Sequence, residues 1–378
     1  MELVSLLLAT LATGAALVAA QTGCGYQNGN SSCGSSAPCC SEFGSCGASP
    51  LHCGGFCQSQ YSAQVGGVSP CYGSRFKKPC VSGFYNFDQN TWVINADAYN
   101  GDINTADFVV DPLGLDNGNA RFGVNGGLLA SLTAQPQGWS LQTPNDPNSW
   151  PAGLGVRLSS TSWLLYGSYS ARMVTSGTIG IVTAFIAFSE ERDEIDWEIT
   201  GRDSSEVDPN YFYRGLPSLF SGGDGKKVNT GIDTSKQFTD FGVVWTKDYI
   251  SWTINGKEVT NLQRSQTCDS SGNNCQFPST PSKIQFALWD GSAGAKGTRE
   301  WVGGYVPWSS SSFSTGFNAT IKSITLQCDG DALPTGPPPR AAGYGAPSLV
   351  EPVISVTVPG MPGYDATLMS RKKSVYAK

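Results

Sequence analysis

Three acids at alternate positions, Glu194, Asp196 and Glu198, offer the most specific chemistry in the chain. Ile195, Trp197 and Ile199 fill and follow the gaps, so on a strand of period two every carboxylate takes one face and every large apolar side chain the other. On a helix these residues would scatter around the axis, and the β-branched and aromatic spacers favour the strand. Folding alone gives no reason to line up three like charges. Two readings need no catalysis: a solvated acidic edge, or a calcium site of hard oxygen ligands. A solvated edge would not ordinarily be backed by Trp and Ile. The catalytic reading is a retaining glycosidase pair, one carboxylate attacking and one carboxylic acid donating a proton, with carboxyl groups about 5–5.5 Å apart. Residues i and i+4 on a flat strand lie about 13 Å apart at Cα. A concave, twisted sheet must therefore lean the two Glu tips together, with Asp196 holding a neighbour and separating their proton affinities.

The rest of the composition narrows the alternatives. The chain has 378 residues and twelve cysteines but one histidine, His52. A Ser-His-Asp triad, a His-rich metal site and a His-paired thiol are disfavoured, leaving 30 carboxylates to move protons. Net charge is −6, and the one run of three consecutive basic residues is Arg371-Lys372-Lys373, which argues against nucleic acid as a partner. Neutral or weakly charged polymers fit better. No metal or cofactor is expected, and the chain is expected to act as a monomer.

Positioning the acids falls to a chain of four parts. Residues 1–20 read as a secretory signal, with an apolar run over 3–19 and Val18 and Ala20 before a cleavage at Gln21. A membrane anchor is the competing reading, disfavoured by the lack of basic flanks; the mature chain is expected to carry no transmembrane helix. Secretion would oxidise the twelve cysteines to six disulfides and open the sequons at Asn30 and Asn318 to glycosylation. Residues 21–72 form a small module whose Gly, Ser, Asn and Gln cannot make a core, so disulfides must order it. Residues 81–329 turn to short alternating runs, such as 178–188, 241–245 and 250–254, the last followed by Asn255-Gly256, the strongest short hairpin signal. No long stretch of period 3.6 appears. The expected fold is all-β, a jelly-roll sandwich of two antiparallel sheets. Residues 330–378 read as a Pro-rich, disordered tail, eight of the 22 prolines falling after Cys328.

The string Asp193-Glu194-Ile195-Asp196-Trp197-Glu198 resembles the active-site strand of glycoside hydrolase family 16 in its E-x-D-x-E variant. The resemblance implies Glu194 as nucleophile, Asp196 as assisting acid and Glu198 as general acid/base. Three further strings, at 210–215, 281–289 and 295–301, are similar to the fungal Crh-type enzymes, chitin transglycosylases that join chitin to β-glucan in the cell wall. Gln285, Trp289 and Thr298 fall on positions that these enzymes use to bind chitin, and Trp301, Asn210 and Tyr213 lie in the matching strings. Independently of that, Gln285, Ala287 and Trp289 share one strand face while Ile284, Phe286 and Leu288 take the other, so an amide and an indole point together. Core roles for Trp289 and Trp301 are the alternative.

The cysteines of the N-terminal module resemble the hevein-like chitin-binding fold, carbohydrate-binding module family 18. That resemblance implies Cys24–Cys40, Cys33–Cys46 and Cys39–Cys53. Cys57 needs a late partner, taken as Cys71; Cys268 and Cys275 bracket a polar loop; elimination leaves Cys80 with Cys328. Sugar binding in such modules uses a serine and three aromatic positions. Ser41 and Phe43 match, but Ser45 and His52 replace the other two aromatics, which predicts weaker, pH-dependent chitin binding. A disulfide knot serving as spacer or lid is the alternative. Three functions remain open: a secreted fungal cell-wall transglycosylase acting on chitin and β-glucan, a retaining hydrolase of either polymer, and a non-catalytic chitin-binding wall protein.

Overall fold

The structure is a computed structural model and describes residues 23–25, 28–41, 44–48, 50–53, 57–67, 70–71, 79–87, 93–95, 106–113, 121–124, 128–134, 153–216, 226–293, 296–307 and 317–336. The expected signal at 1–20, Phe43 and the tail beyond 336 lie outside these residues.

Strands dominate. Among the described residues the strands of the N-terminal module are β1 (Cys39–Cys40) and β2 (Cys46–Gly47). Then come β3 (Gly83–Asn86), β4 (Val93–Asn95), β5 (Phe108–Leu113), β6 (Arg121–Val124), β7 (Leu128–Ala134) and β8 (Gly153–Ser160). They are followed by β9 (Gly167–Val174), β10 (Ile181–Ser189), β11 (Glu194–Thr200), β12 (Glu206–Phe212) and β13 (Val228–Asn229). The last five are β14 (Thr239–Trp245), β15 (Tyr249–Ile254), β16 (Lys257–Gln263), β17 (Ser282–Asp290) and β18 (Phe317–Cys328).

One sheet, here the cleft sheet, runs β13-β12-β11-β10-β17-β8 with β5 on β8 and β4 on β5; the back sheet runs β7-β18-β9-β14-β15-β16, with β6 on β7 and β3 on β18. A two-residue pairing of β7 with β8 joins them. The two sheets are antiparallel as expected, and among the described residues one pairing differs, β4 lying parallel to β5.

Alternation explains the core. Ile195, Trp197 and Ile199 of β11 and Ile284, Phe286 and Leu288 of β17 face the back sheet and are almost fully buried against Tyr169, Phe241, Trp245 and Trp252. Edge-to-face contacts span the layers, Trp197 on Phe241 at 5.5 Å and Tyr169 on Phe185 at 5.4 Å. Burying each large apolar side chain contributes roughly 1.5–3 kcal/mol. On β18 a register shift between Ile321 and Ser323 switches the inward phase from Phe317, Ala319 and Ile321 to Ile324 and Leu326. The bulge lets one long strand serve β7 and β3 in turn.

One expectation changes in detail and one holds. The strand anticipated over 178–188 begins only at Ile181, because Gly180 takes a φ of +86° in a tight turn where a Cβ would lie 2.7 Å from Val306. The Asn255-Gly256 pair turns β15 into β16 with φ of 50° and 76°, both positive as a two-residue hairpin of this twist needs. Among the described residues the α-helices are Pro50–Cys53 and Lys296–Trp301, and none is long and apolar enough to cross a membrane.

Six disulfides join Cys24–Cys40, Cys33–Cys46, Cys39–Cys53, Cys57–Cys71, Cys80–Cys328 and Cys268–Cys275. Around Cys80–Cys328, Ser82 Oγ donates to Asp331 Oδ2 at 2.6 Å, and Phe84 N–H donates to the Gly336 carbonyl at 2.9 Å. Residues 331–336, expected to begin a disordered tail, are therefore bonded to the edge of β3.

Candidate active site

The acids stand where β11 runs between β10 and β12. Across β10, Glu194 faces Phe188, Asp196 faces Ile186 and Glu198 faces Ala184. Across β12 the partners are Phe212, Asn210 and Asp208. The floor beside Glu198 is kept low by Ala184 and its own neighbour Ala287 on β17. A cleft of about 400 Å³ opens there, lined by Glu194, Glu198, Arg157, Gln285, Trp289 and Asp290.

The acidic strand is held from both ends and from behind. Tyr169 Oη donates to the Ile195 carbonyl at 3.0 Å and Trp252 Nε1 to that of Asp196 at 2.9 Å. Trp197 returns its own indole N–H to the Gly242 carbonyl at 3.1 Å. At the N-terminal end, the buried Asp193 carboxylate accepts from the main-chain N–H groups of Arg214, Ser279 and Thr280 and from Thr280 Oγ1. One side chain thereby ties the loops following β12 and preceding β17 to the residue next to Glu194.

Burial sorts the three protons. Glu194 and Glu198 are half-buried in the cleft, while Asp196 is 1% exposed and neither of its oxygens meets an N–H or O–H of the protein. Its polar neighbour is the Glu194 carboxylate, to which a protonated Asp196 donates a hydrogen bond. Desolvation, then the charges of Glu194 and Glu198, then that hydrogen bond push Asp196 well above the usual carboxylate range. Desolvation raises Glu194 to about 7, opposed by the Asp196 hydrogen bond. Glu198 goes higher, to about 8, through desolvation, then the charges of Glu194 and Asp208. The arrangement can hold one ionised and one protonated glutamate at the same pH.

The other expected site residues divide. Gln285 is buried on the cleft face and donates from Nε2 to Ser159 Oγ at 2.9 Å. Trp289 lines the cleft, and Trp301 stands beside it with ring centroids 6.4 Å apart and planes tilted 36°. Both rings are half-buried rather than core. Asn210 is buried opposite Asp196 with Oδ1 free of protein donors. Thr298 sits on the Lys296–Trp301 helix, where its carbonyl accepts from Val302 N–H, and it is not among the cleft-lining residues. Tyr213 lies just past β12 with the Arg214 guanidinium 5.5 Å from its ring centroid.

Sequence reasoning missed Asp208 and Asp193. Asp208 follows the two-residue alternation that puts Asn210 in the cleft, a signal available once β12 is drawn. Asp193 gives none, since its four donors come from loops distant in sequence.

In the N-terminal module, Ser41 is buried and its Oγ accepts from Ser45 N–H at 3.1 Å, closing the turn. His52 is half-buried, its ring so close over Gly47 that a Cβ there would lie 2.3 Å from the imidazole. Of the sequons, Asn30 is exposed with a φ of 63° and its Oδ1 accepts from Tyr61 Oη, and Asn318 points to the half-buried outer face of β18.

The family profile described as "Glycosyl hydrolases family 16" matches residues 124–306, the span holding the three acids and most of the cleft. The domain belongs to glycosyl hydrolase family 16. The chain is 33% identical over 284 residues to Crh-like protein UTR2 of Candida albicans, covering 74% of this chain and 53% of that protein. It is 28% identical over 308 residues to Congo red hypersensitive protein 2 of Saccharomyces cerevisiae, covering 80% and 59%. The chain thus spans 53% and 59% of the length of these two curated relatives. Among solved structures it is similar to a Crh5 transglycosylase in complex with NAG, at TM-score 0.48 and 21% identity over 68% of this chain and 88% of that one. A Bacillus licheniformis beta-glucanase aligns at TM-score 0.46 and 22% identity over 66% and 99%.

Proposed function

We propose that the protein is a secreted fungal cell-wall transglycosylase that cleaves chitin with retention and transfers it to β-glucan or chitin acceptors. The observation that carries this reading is the Glu194-Asp196-Glu198 row on the cleft face, with proton affinity rising from Glu194 to Glu198. The Glu194 carboxylate attacks the anomeric carbon as the glycosidic C–O bond breaks and Glu198 gives its proton to the leaving oxygen. Asp196 keeps its own proton and donates it in a hydrogen bond to Glu194, which holds that glutamate as the carboxylate until it attacks; the same hydroxyl then hydrogen-bonds the ester. In the second step Glu198 takes the proton of an acceptor hydroxyl, whose oxygen displaces Glu194 from the anomeric carbon.

Trp289 and Trp301 supply aromatic faces for sugar C–H surfaces, and Asn210 offers an acceptor to a hydroxyl or amide N–H. Asp193 and Gln285 hold the floor. What supports the Crh-type assignment is similarity to fungal relatives of that name. The N-terminal module is assigned to chitin, with Ser41, Phe43 and His52 at its sugar face, and the polysaccharides are the partners of a monomeric enzyme. Chain regions 1–20, 21–72, 81–329 and 330–378 then serve as signal, chitin module, catalytic domain and tail.

The deciding experiment incubates the full chain with chitin hexamer and fluorescent β-1,3-glucan pentamer or chitin pentamer. Labelled products longer than the acceptor are expected. Reducing ends without labelled extension would make the protein a hydrolase, and neither product, with binding retained, would leave a non-catalytic wall protein.

A further inference from the structure

The proton that Glu198 must donate has to stay on it at a pH where the neighbouring carboxylates ionise, and the site contains a residue placed to ensure this. We propose that Asp208 is a positioning residue of the reaction, holding Trp301 in the cleft wall by its indole N–H and keeping Glu198 the protonated member of the pair. This rests on the role given to Glu198 under the proposed function.

The geometry is that of two acids paired directly across antiparallel strands. Asp208 of β12 is the register partner of Glu198 of β11, a relation that puts Cβ atoms about 4.5–5.5 Å apart. Val207 and Tyr211 point into the core, so Asp208 shares the cleft face with Asn210 and the three acids. It is 6% exposed, and its Oδ2 accepts from Trp301 Nε1 at 2.7 Å while Oδ1 has no protein partner.

Two carboxylates this close, one buried and one half-buried, cannot both ionise cheaply. The one that already receives an N–H keeps the charge, and the proton goes to the other. The indole N–H reaches Asp208, so Glu198 carries the proton. Burial raises Asp208 too, but the Trp301 hydrogen bond and the charge of Lys227 pull it back.

The surrounding charges do not replace this pairing. On β11, Asp196 and Glu194 are acids; on β12, Glu206 is ion-paired to Lys227 at the β13 edge. Arg202, in the turn between β11 and β12, donates to the Glu300 carbonyl, and the Trp301 helix also carries Lys296, Arg299 and Glu300, with Lys296 paired to Glu300. Arg157 and Asp290 lie across the cleft on the lining. The free Oδ1 of Asp208 leaves an acceptor beside Trp301 for a sugar hydroxyl or amide N–H.

The test reads the Glu198 proton directly, without substrate, in the full chain labelled with 13C at glutamate side-chain carboxyls, Glu198→Gln assigning the resonance. Asp208→Asn keeps an acceptor for the indole and removes the charge. Its Glu198 titration midpoint is expected to fall by about 1 pH unit, with the alkaline limb of transfer following. Trp301→Phe keeps the ring but removes the N–H, and is expected to move the Glu198 midpoint the same way. An unmoved midpoint in Asp208→Asn overturns the proposal; should that variant not fold, an unmoved midpoint in Trp301→Phe does so. A wild-type chain without transfer products sinks the functional reading instead and leaves the NMR result standing.

Discussion

Trp252 donates its indole N–H to the main-chain carbonyl of Asp196 at 2.9 Å, so the centre of the acidic strand is fixed by a residue of the opposite sheet. With Tyr169 on the Ile195 carbonyl, the back sheet sets where the three carboxylates stand. Trp252→Phe retains most of the buried apolar area and removes the donor. Stability is expected to fall by about 1–2 kcal/mol in urea melts, with kcat falling more than KM rises.

The acid row is expected to cost stability at neutral pH. Folding raises Glu198 from 4.5 to about 8, so the native state holds a proton that the unfolded state has released across that range. Its favourable contribution is complete below pH 4.5 and lost as pH rises toward 8. Glu198→Gln should therefore be more stable than wild type at pH 8, by roughly 0.5–2 kcal/mol, and no more stable at pH 4. Transfer activity should drop at least about a thousandfold, since a proton donor is gone.

Asp196 lowers Glu194 through its hydrogen bond, against the desolvation that raises it. Asp196→Ala removes the donor, so the acid limb of the kcat/KM profile is expected to move to higher pH. Asp196→Asn keeps an N–H for Glu194 and should move that limb less. Profiles of both variants on the same substrate check the order.

Asp193 accepts four hydrogen bonds from residues 214, 279 and 280. Asp193→Ala leaves three main-chain N–H groups without their acceptor, at about 1–3 kcal/mol for each left buried. A lowered midpoint in thermal melts and faster hydrogen exchange at 214, 279 and 280 are the expected signs. Asp193→Asn, which keeps one acceptor oxygen, should recover part of the loss.

His52→Tyr restores an aromatic face of the kind the hevein-like pattern uses. If the His52 ring is a sugar contact, retention of the full chain on a chitin column should rise about fivefold. Unchanged retention would make the N-terminal module a spacer.

Alternation carried most of what could be read in advance. Glu194, Asp196 and Glu198 on one face, and Gln285, Ala287 and Trp289 on another strand, follow from period two alone, and the Asn255-Gly256 hairpin from turn chemistry. What depends on distant pairing was out of reach. No local pattern marks Asp193 as the acceptor of loops 21 and 86 residues away, or shows that Trp301 would give its N–H to Asp208. Gly180 likewise looks like part of a strand until Val306 is packed against it. The parallel β4–β5 pair reflects sheet order, which alternation does not encode.

Cys80 and Cys328 are 248 positions apart in sequence with Cα atoms 5.8 Å apart. If the segment before Cys80 grips one polymer and the segment after Cys328 another, tension between them crosses a single covalent bond and bypasses the sandwich. The cleft would then keep its shape under mechanical load.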